Sequence, residues 1–119
     1  MSTRILIIDD DEVACEFLQE ALLRAGYEVD AYMSAKEALG EDLSHYDLLI
    51  SDIRMPEIDG LEATRQIKLI NPNIPVIAIT AYAMSGDEER VKAAGCDGYL
   101  SKPVSKDILL KMMAELAKV

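Results

Sequence analysis

Ile5-Leu6-Ile7-Ile8-Asp9-Asp10-Asp11-Glu12 is the stretch on which the fold turns. Four aliphatic residues in a row, without alternation, suit a strand buried on both faces, as in a parallel sheet covered by helices. The run ends abruptly at three consecutive carboxylates. Two other runs share the form. Leu48-Leu49-Ile50 leads through Ser51 to Asp52, and Val76-Ile77-Ala78-Ile79 leads to Thr80. Glu28-Val29-Asp30-Ala31-Tyr32 alternates instead, as an edge strand does, and Gly98-Tyr99-Leu100 supplies a short fifth strand.

Helical patterns fall between these runs. Val13, Phe17, Leu18, Ala21, Leu22 and Ala25 recur at helical spacing, and Gly26 stops that segment. Asp11 and Glu12 suit its cap and first turn. Ser34-Ala35-Lys36-Glu37 and Ser85-Gly86-Asp87-Glu88 both fit a capping box. Asp59 is positioned to cap a helix carrying Ala63, Ile67 and Ile70, which Asn71-Pro72 ends. The last helix is read from Val104, Ile108, Met112 and Leu116. Strand and helix alternate five times, which implies a parallel sheet with helices on both faces and right-handed crossovers. No linker, repeat or low-complexity stretch interrupts the 119 residues, so residues 1–119 are expected to form one domain.

Composition narrows the function. Half the residues are apolar, enough for a core without disulfides. The net charge of −10 opposes direct contact with nucleic acid, whose phosphates require a basic face. No run of ~18 apolar residues offers a membrane span, and Met1-Ser2-Thr3-Arg4 leads into an apolar run too short for a signal peptide. The expectation is a cytoplasmic protein. Cys15 and Cys96 lack CxxC spacing and read as packing thiols. His45, the single histidine, reads as a surface loop residue.

Sites in open parallel sheets form beyond the carboxyl ends of the strands. There the sequence sets Asp9, Asp10 and Asp11 after the first strand and Asp52 after the third. Thr80 with the small Ala81 follows the fourth, and Lys102 with Pro103 the fifth. Two unit charges ~5 Å apart repel by roughly 3 kcal/mol at an effective dielectric of 20. So many carboxylates need compensation. Lys102 supplies one charge, and oxygen-only ligands with room for water suit Mg²⁺. A carboxylate nucleophile, a hard cation, a hydroxyl and a lysine together suit phosphoryl transfer, with Asp52 attacking phosphorus.

These same residues resemble the response-regulator receiver domains of two-component and phosphorelay signalling. Ile5 to Glu12 looks like the opening of that family. Asp52-Ile53-Arg54-Met55-Pro56 with Asp59-Gly60 looks like its phosphorylation loop. Ile79-Thr80-Ala81 and Tyr99-Leu100-Ser101-Lys102-Pro103 complete a set that covers essentially the whole chain. The resemblance implies a flavodoxin-like, doubly wound (βα)5 fold with strand order 2-1-3-4-5. It implies Asp52 as phosphoacceptor, and Mg²⁺ (Mn²⁺ as a substitute) held by Asp10, Asp52 and the Arg54 backbone carbonyl, with Asp9 acting mostly through water. Thr80 and Lys102 would contact the phosphoryl group, Tyr99 would change rotamer on activation, and the bond before Pro103 would be cis. The donor would be a histidine kinase or histidine phosphotransfer protein, and the output a downstream protein target. Such a chain assists its own phosphorylation and dephosphorylation without being a conventional turnover enzyme. Arg54 and Tyr82 stand where the family varies and would tune dephosphorylation. Residues 80–87 resemble both hybrid-kinase receivers and stand-alone phosphorelay regulators. Partner docking is expected around Ala14, Phe17, Met55 and Pro103.

Other readings fit less well. A flavodoxin-type electron carrier needs Ser, Thr and Gly where this chain has three aspartates. A Rossmann dehydrogenase needs GxGxxG after the first strand. A haloacid-dehalogenase-type phosphatase normally carries a second Asp two residues after its nucleophile, on its first strand, whereas Asp52 is on the third with Arg54 at that offset. A degenerate receiver that only mediates contacts would have lost some of the chemical positions.

Overall fold

The computed structural model describes residues 3–53, 60–80 and 87–116. Ten elements alternate along the chain: β1 (Arg4–Ile8), α1 (Glu12–Arg24), β2 (Glu28–Tyr32), α2 (Ala35–Leu39), β3 (Leu48–Asp52), α3 (Gly60–Ile70), β4 (Val76–Thr80), α4 (Asp87–Ala93), β5 (Gly98–Ser101) and α5 (Lys106–Leu116). The strands form one parallel sheet in the order β2-β1-β3-β4-β5. This is the flavodoxin-like doubly wound order.

The continuous apolar runs follow from the two cores. Successive side chains of a strand point to opposite faces. Leu6 and Ile8 of β1 enter one core with Ala38, Leu61, Ile67 and Val91 from α2, α3 and α4. Ile5 and Ile7 enter the other with Leu18 and Leu22 of α1 and Leu109 and Met113 of α5. β3 and β4 divide in the same way, with Leu49, Val76 and Ala78 on the first side and Leu48, Ile50, Ile77 and Ile79 on the second. The two edge strands, β2 and β5, have no fully buried residue.

The helix signals act locally. The Asp11 side chain caps α1, Ser34 Oγ accepts from the Glu37 N–H, and α1 closes at Gly26 with φ 97°. α3 stops at Ile70, immediately before Asn71-Pro72. Asp59 and the Ser85-Gly86 half of the second capping box lie outside the described residues. Three helices bury most of the expected stripe and leave single members exposed: Leu18, Ala21 and Leu22 of α1 and Ala63 and Ile67 of α3 are buried, and Val104, Met112 and Leu116 pack partly buried on the core. Val13 and Phe17 of α1 are exposed, as is Ile70 of α3, and Ile108 of α5 is exposed while Leu109 and Met113 are buried. α5 also begins after Val104, with Ser105 Oγ accepting from the Ile108 N–H at 3.4 Å.

Candidate functional site

The strand ends are held level by backbone hydrogen bonds. The Asp9 N–H donates to Tyr32 O, the Ile53 N–H to Ile79 O, and the Lys102 N–H to Thr80 O at 2.8 Å. In register, Ile8 stands beside Ser51, Asp52 beside Ile79, and Thr80 beside Ser101. Residues just past β1, at the end of β3 and just past β5 are therefore neighbours at one edge.

Asp9 and Asp52 are buried there, 1% and 4% exposed, and Asp10 is exposed. One carboxylate oxygen from each of the three lies within 4.8 Å of the others. Lys102 Nζ reaches across from β5 to Asp9 Oδ2 at 3.0 Å and Asp52 Oδ2 at 3.3 Å. Burial works against the Lys102 charge. The hydrogen bond to Asp9 and the negative charges of Asp52 and Asp9 outweigh it, so the ammonium is held above its ordinary range. The Lys102–Pro103 peptide bond is cis. Thr80 is fully buried at the end of β4, and Tyr99 of β5 packs partly buried on the α2–α3–α4 side. Arg54, Met55, Ala81 and Tyr82 lie outside the described residues.

Asp9 is supported from two sides that spacing does not reveal. The Asp11 N–H donates to its Oδ1 at 2.9 Å, and the Cys15 thiol donates to its backbone carbonyl at 3.0 Å. Burial, and then the Asp9 charge, push that thiol up to about 11. The first contact uses a backbone donor, which residue identity does not record. Nothing in the sequence singled out Cys15 for the second.

The donor set suits a hard cation. It is made of carboxylate oxygens alone, with one member open to solvent, and the buried Asp9 Oδ2 is met by the Lys102 ammonium at 3.0 Å. A divalent cation would use that oxygen and offset repulsion that one lysine only partly relieves. Beside the cluster a groove of about 520 Å³ runs between α1 and the segment after β5, lined by Val13, Ala14, Phe17, Lys102, Pro103 and Val104 among others.

A family model described as the response regulator receiver domain matches residues 5–114. The chain belongs to that family. Its relatives include the polar-differentiation response regulator DivK of Brucella ovis, 41% identical over 108 residues that cover 88% of each chain. Among solved structures, the chemotaxis protein CheY4 of Vibrio cholerae matches this receiver with a TM-score of 0.90 at 27% identity, over 98% of this chain and 99% of that one. A CheY-like receiver domain protein from Methanospirillum hungatei does so with a TM-score of 0.90 at 30% identity, over 98% and 94%. No helix among the described residues of the receiver is long and apolar enough to cross a membrane.

Proposed function

We propose that this receiver takes a phosphoryl group on Asp52 from a phosphohistidine of a histidine kinase or phosphotransfer protein, and passes the resulting conformational signal to a downstream protein. The observation that carries the reading is the contact of Lys102 Nζ with both Asp9 and Asp52 inside a three-carboxylate cluster. In the transfer, an Asp52 oxygen bonds to phosphorus as the phosphorus–nitrogen bond breaks, and the imidazole leaves with that electron pair and gains a proton. Asp52 offers a carboxylate oxygen as the nucleophile, with the Lys102 ammonium 3.3 Å from its Oδ2. Lys102 carries its charge next to the oxygens that become more negative.

Mg²⁺, with Mn²⁺ as a substitute, is the cation proposed for Asp9, Asp10, Asp52 and the Arg54 backbone carbonyl. When bound it supplies positive charge to the transferring oxygens. Thr80 is assigned as the hydroxyl donor to the phosphoryl group, and Tyr99 as the aromatic that turns on activation. The free thiols of Cys15 and Cys96 accord with a cytoplasmic setting, and residues 1–119 act as one receiver unit.

The groove beside the cluster is the proposed docking surface for the donor, since Lys102 and Pro103 form part of its wall. Ala14 and Phe17 line it, while Met55 lies outside the described residues. Acetyl phosphate with Mg²⁺ is expected to add one phosphoryl group to the wild type and none to Asp52→Asn, read by intact mass. Equal labelling of the two proteins would refute the assignment.

A further inference from the structure

Cys15 stands in the first turn of α1 and is buried in the core that α1 and α5 share with the sheet. Side chains on a helix lean toward its N-terminus, so the thiol faces back to the chain that leads into α1. It donates to the Asp9 carbonyl at 3.0 Å. The cysteine backbone is held independently, its N–H donating to Asp11 O at 3.0 Å. Among the described residues no backbone N–H donates to the Asp9 carbonyl, although the Asp9 N–H itself bonds across the sheet to Tyr32 O at 3.1 Å.

That carbonyl belongs to the peptide joining Asp9 to Asp10. A peptide group is planar and turns as a unit. Whatever holds its oxygen fixes ψ of Asp9 and φ of Asp10 together. The Asp9 carboxylate has anchors of its own, the Asp11 N–H at 2.9 Å and Lys102 Nζ at 3.0 Å. The Asp10 carboxylate is exposed, and no hydrogen bond or ion pair among the described residues reaches it. Its place within 4.8 Å of the Asp9 and Asp52 oxygens therefore depends on the backbone that carries it.

We infer that Cys15 is a positioning residue for the cation: its thiol holds the Asp9–Asp10 peptide in the plane that keeps the Asp10 carboxylate at the cluster, and so sets the affinity for Mg²⁺. The inference rests on the cluster being a cation site, and its test separates the two ideas. Asp9 is 1% exposed, so water does not replace a lost donor there. A buried carbonyl without a partner is costly, and the peptide turns to find one. Asp10 then swings away from Asp9. A thiol that only packs contributes its bulk, whereas this one contributes its proton.

Substitution separates bulk from the hydrogen bond. Cys15→Val keeps the bulk and loses the donor, Cys15→Ala loses both, and Cys15→Ser keeps a hydroxyl donor with less bulk. Cys96→Ala removes a buried thiol from the other core and controls for lost stability. Circular dichroism melts are run in EDTA and then across a Mg²⁺ titration, and the rise with metal gives the dissociation constant. Groups that orient a metal ligand typically change affinity ten- to hundred-fold, and a thiol is a weak donor, so Cys15→Val and Cys15→Ala should weaken Mg²⁺ binding by roughly ten-fold. Cys15→Ser and Cys96→Ala should bind it nearly as tightly as wild type, whatever stability they lose in EDTA. Labelling of Cys15→Val by acetyl phosphate should need correspondingly more Mg²⁺ for half its maximal rate, with the rate at saturating Mg²⁺ little changed.

Wild-type Mg²⁺ affinity in Cys15→Val or Cys15→Ala overturns the inference, and either variant suffices where the other fails to fold. Cys15→Ser as weak as Cys15→Ala also overturns it, because bulk and not the proton is then what the site requires. A loss of the same size in Cys96→Ala does so too, as a general effect of lowered stability. All three outcomes leave the cation reading standing. A wild-type melting temperature indifferent to Mg²⁺ removes the cation from the cluster, and the inference with it.

Discussion

Asp11 adjoins two aspartates of the cluster, yet its own carboxylate is committed to α1. Oδ1 accepts from the Val13 N–H at 3.0 Å and the Ala14 N–H at 3.3 Å. Its backbone N–H meanwhile holds Asp9 Oδ1 at 2.9 Å. One residue therefore fixes both the start of the helix and the angle of a buried carboxylate. The capping half was legible from an acid just before a helical pattern. The Asp9 half was not, because a backbone donor leaves no trace in residue identity. Losing an N-cap costs about 1 kcal/mol. Asp11→Ala is expected to lower stability by about that amount, whereas Asp11→Asn, which keeps the accepting oxygen, stays within a few tenths of wild type. Urea denaturation measures both, and an Asp11→Ala protein as stable as wild type would mean that the cap contributes nothing here.

At the scale of elements, strands were more legible than helix faces. A strand buried on both sides needs only a run of aliphatics, and β1, β3 and β4 have little choice of register once their ends are set by Asp9, Asp52 and Thr80. A helix rich in apolar residues leaves its phase open. α5 contains Ile108, Leu109, Leu110, Met112 and Met113 in close succession, so several stripes satisfy the same spacing. Of the Val104–Ile108–Met112–Leu116 stripe only Ile108 turns to solvent; Val104, Met112 and Leu116 pack partly buried beside Leu109 and Met113, which meet the sheet. Val13 and Phe17 left the core for a different reason, since they line the groove beside the site. Truncation distinguishes the faces. Leu109→Ala removes a fully buried side chain and should cost about 2–5 kcal/mol. Ile108→Ala, at a position 55% exposed, should change stability by no more than about 0.5 kcal/mol. Comparable losses in the two proteins, measured by urea melts, would mean that α5 presents Ile108 inward after all.

Over the whole molecule, the alternation of five strands and five helices fixed the layers, while the strand order rested on the family resemblance. Loops joining parallel strands leave no residue-level record of which neighbour a strand takes. The same topology concentrates charge. A chain with 22 acids and 12 basic residues brings three carboxylates within 4.8 Å of one another at one sheet edge. Lys102 contacts Asp9 and Asp52, but no ion pair among the described residues reaches Asp10. Folding without a cation therefore gathers charges that lie further apart in the unfolded chain. A cation that binds the folded form at 100 times its dissociation constant adds roughly 2.7 kcal/mol by mass action. Mg²⁺ should accordingly raise the melting temperature well beyond the effect of NaCl at equal ionic strength, since screening alone treats all exposed charges alike. Asp10→Asn removes one repelling charge, so in EDTA the variant should melt above wild type. The gain should be modest because Asp10 is exposed and water screens much of the repulsion. The same substitution deletes a carboxylate from the cluster, so its Mg²⁺-dependent rise should largely vanish. Melts of both proteins in EDTA, NaCl and Mg²⁺ separate the two effects. A wild type indifferent to Mg²⁺ would remove the cation from the site, and a variant that melts lower than wild type in EDTA would show that Asp10 contributes more as a hydrogen-bonding anion than it costs as a crowded charge.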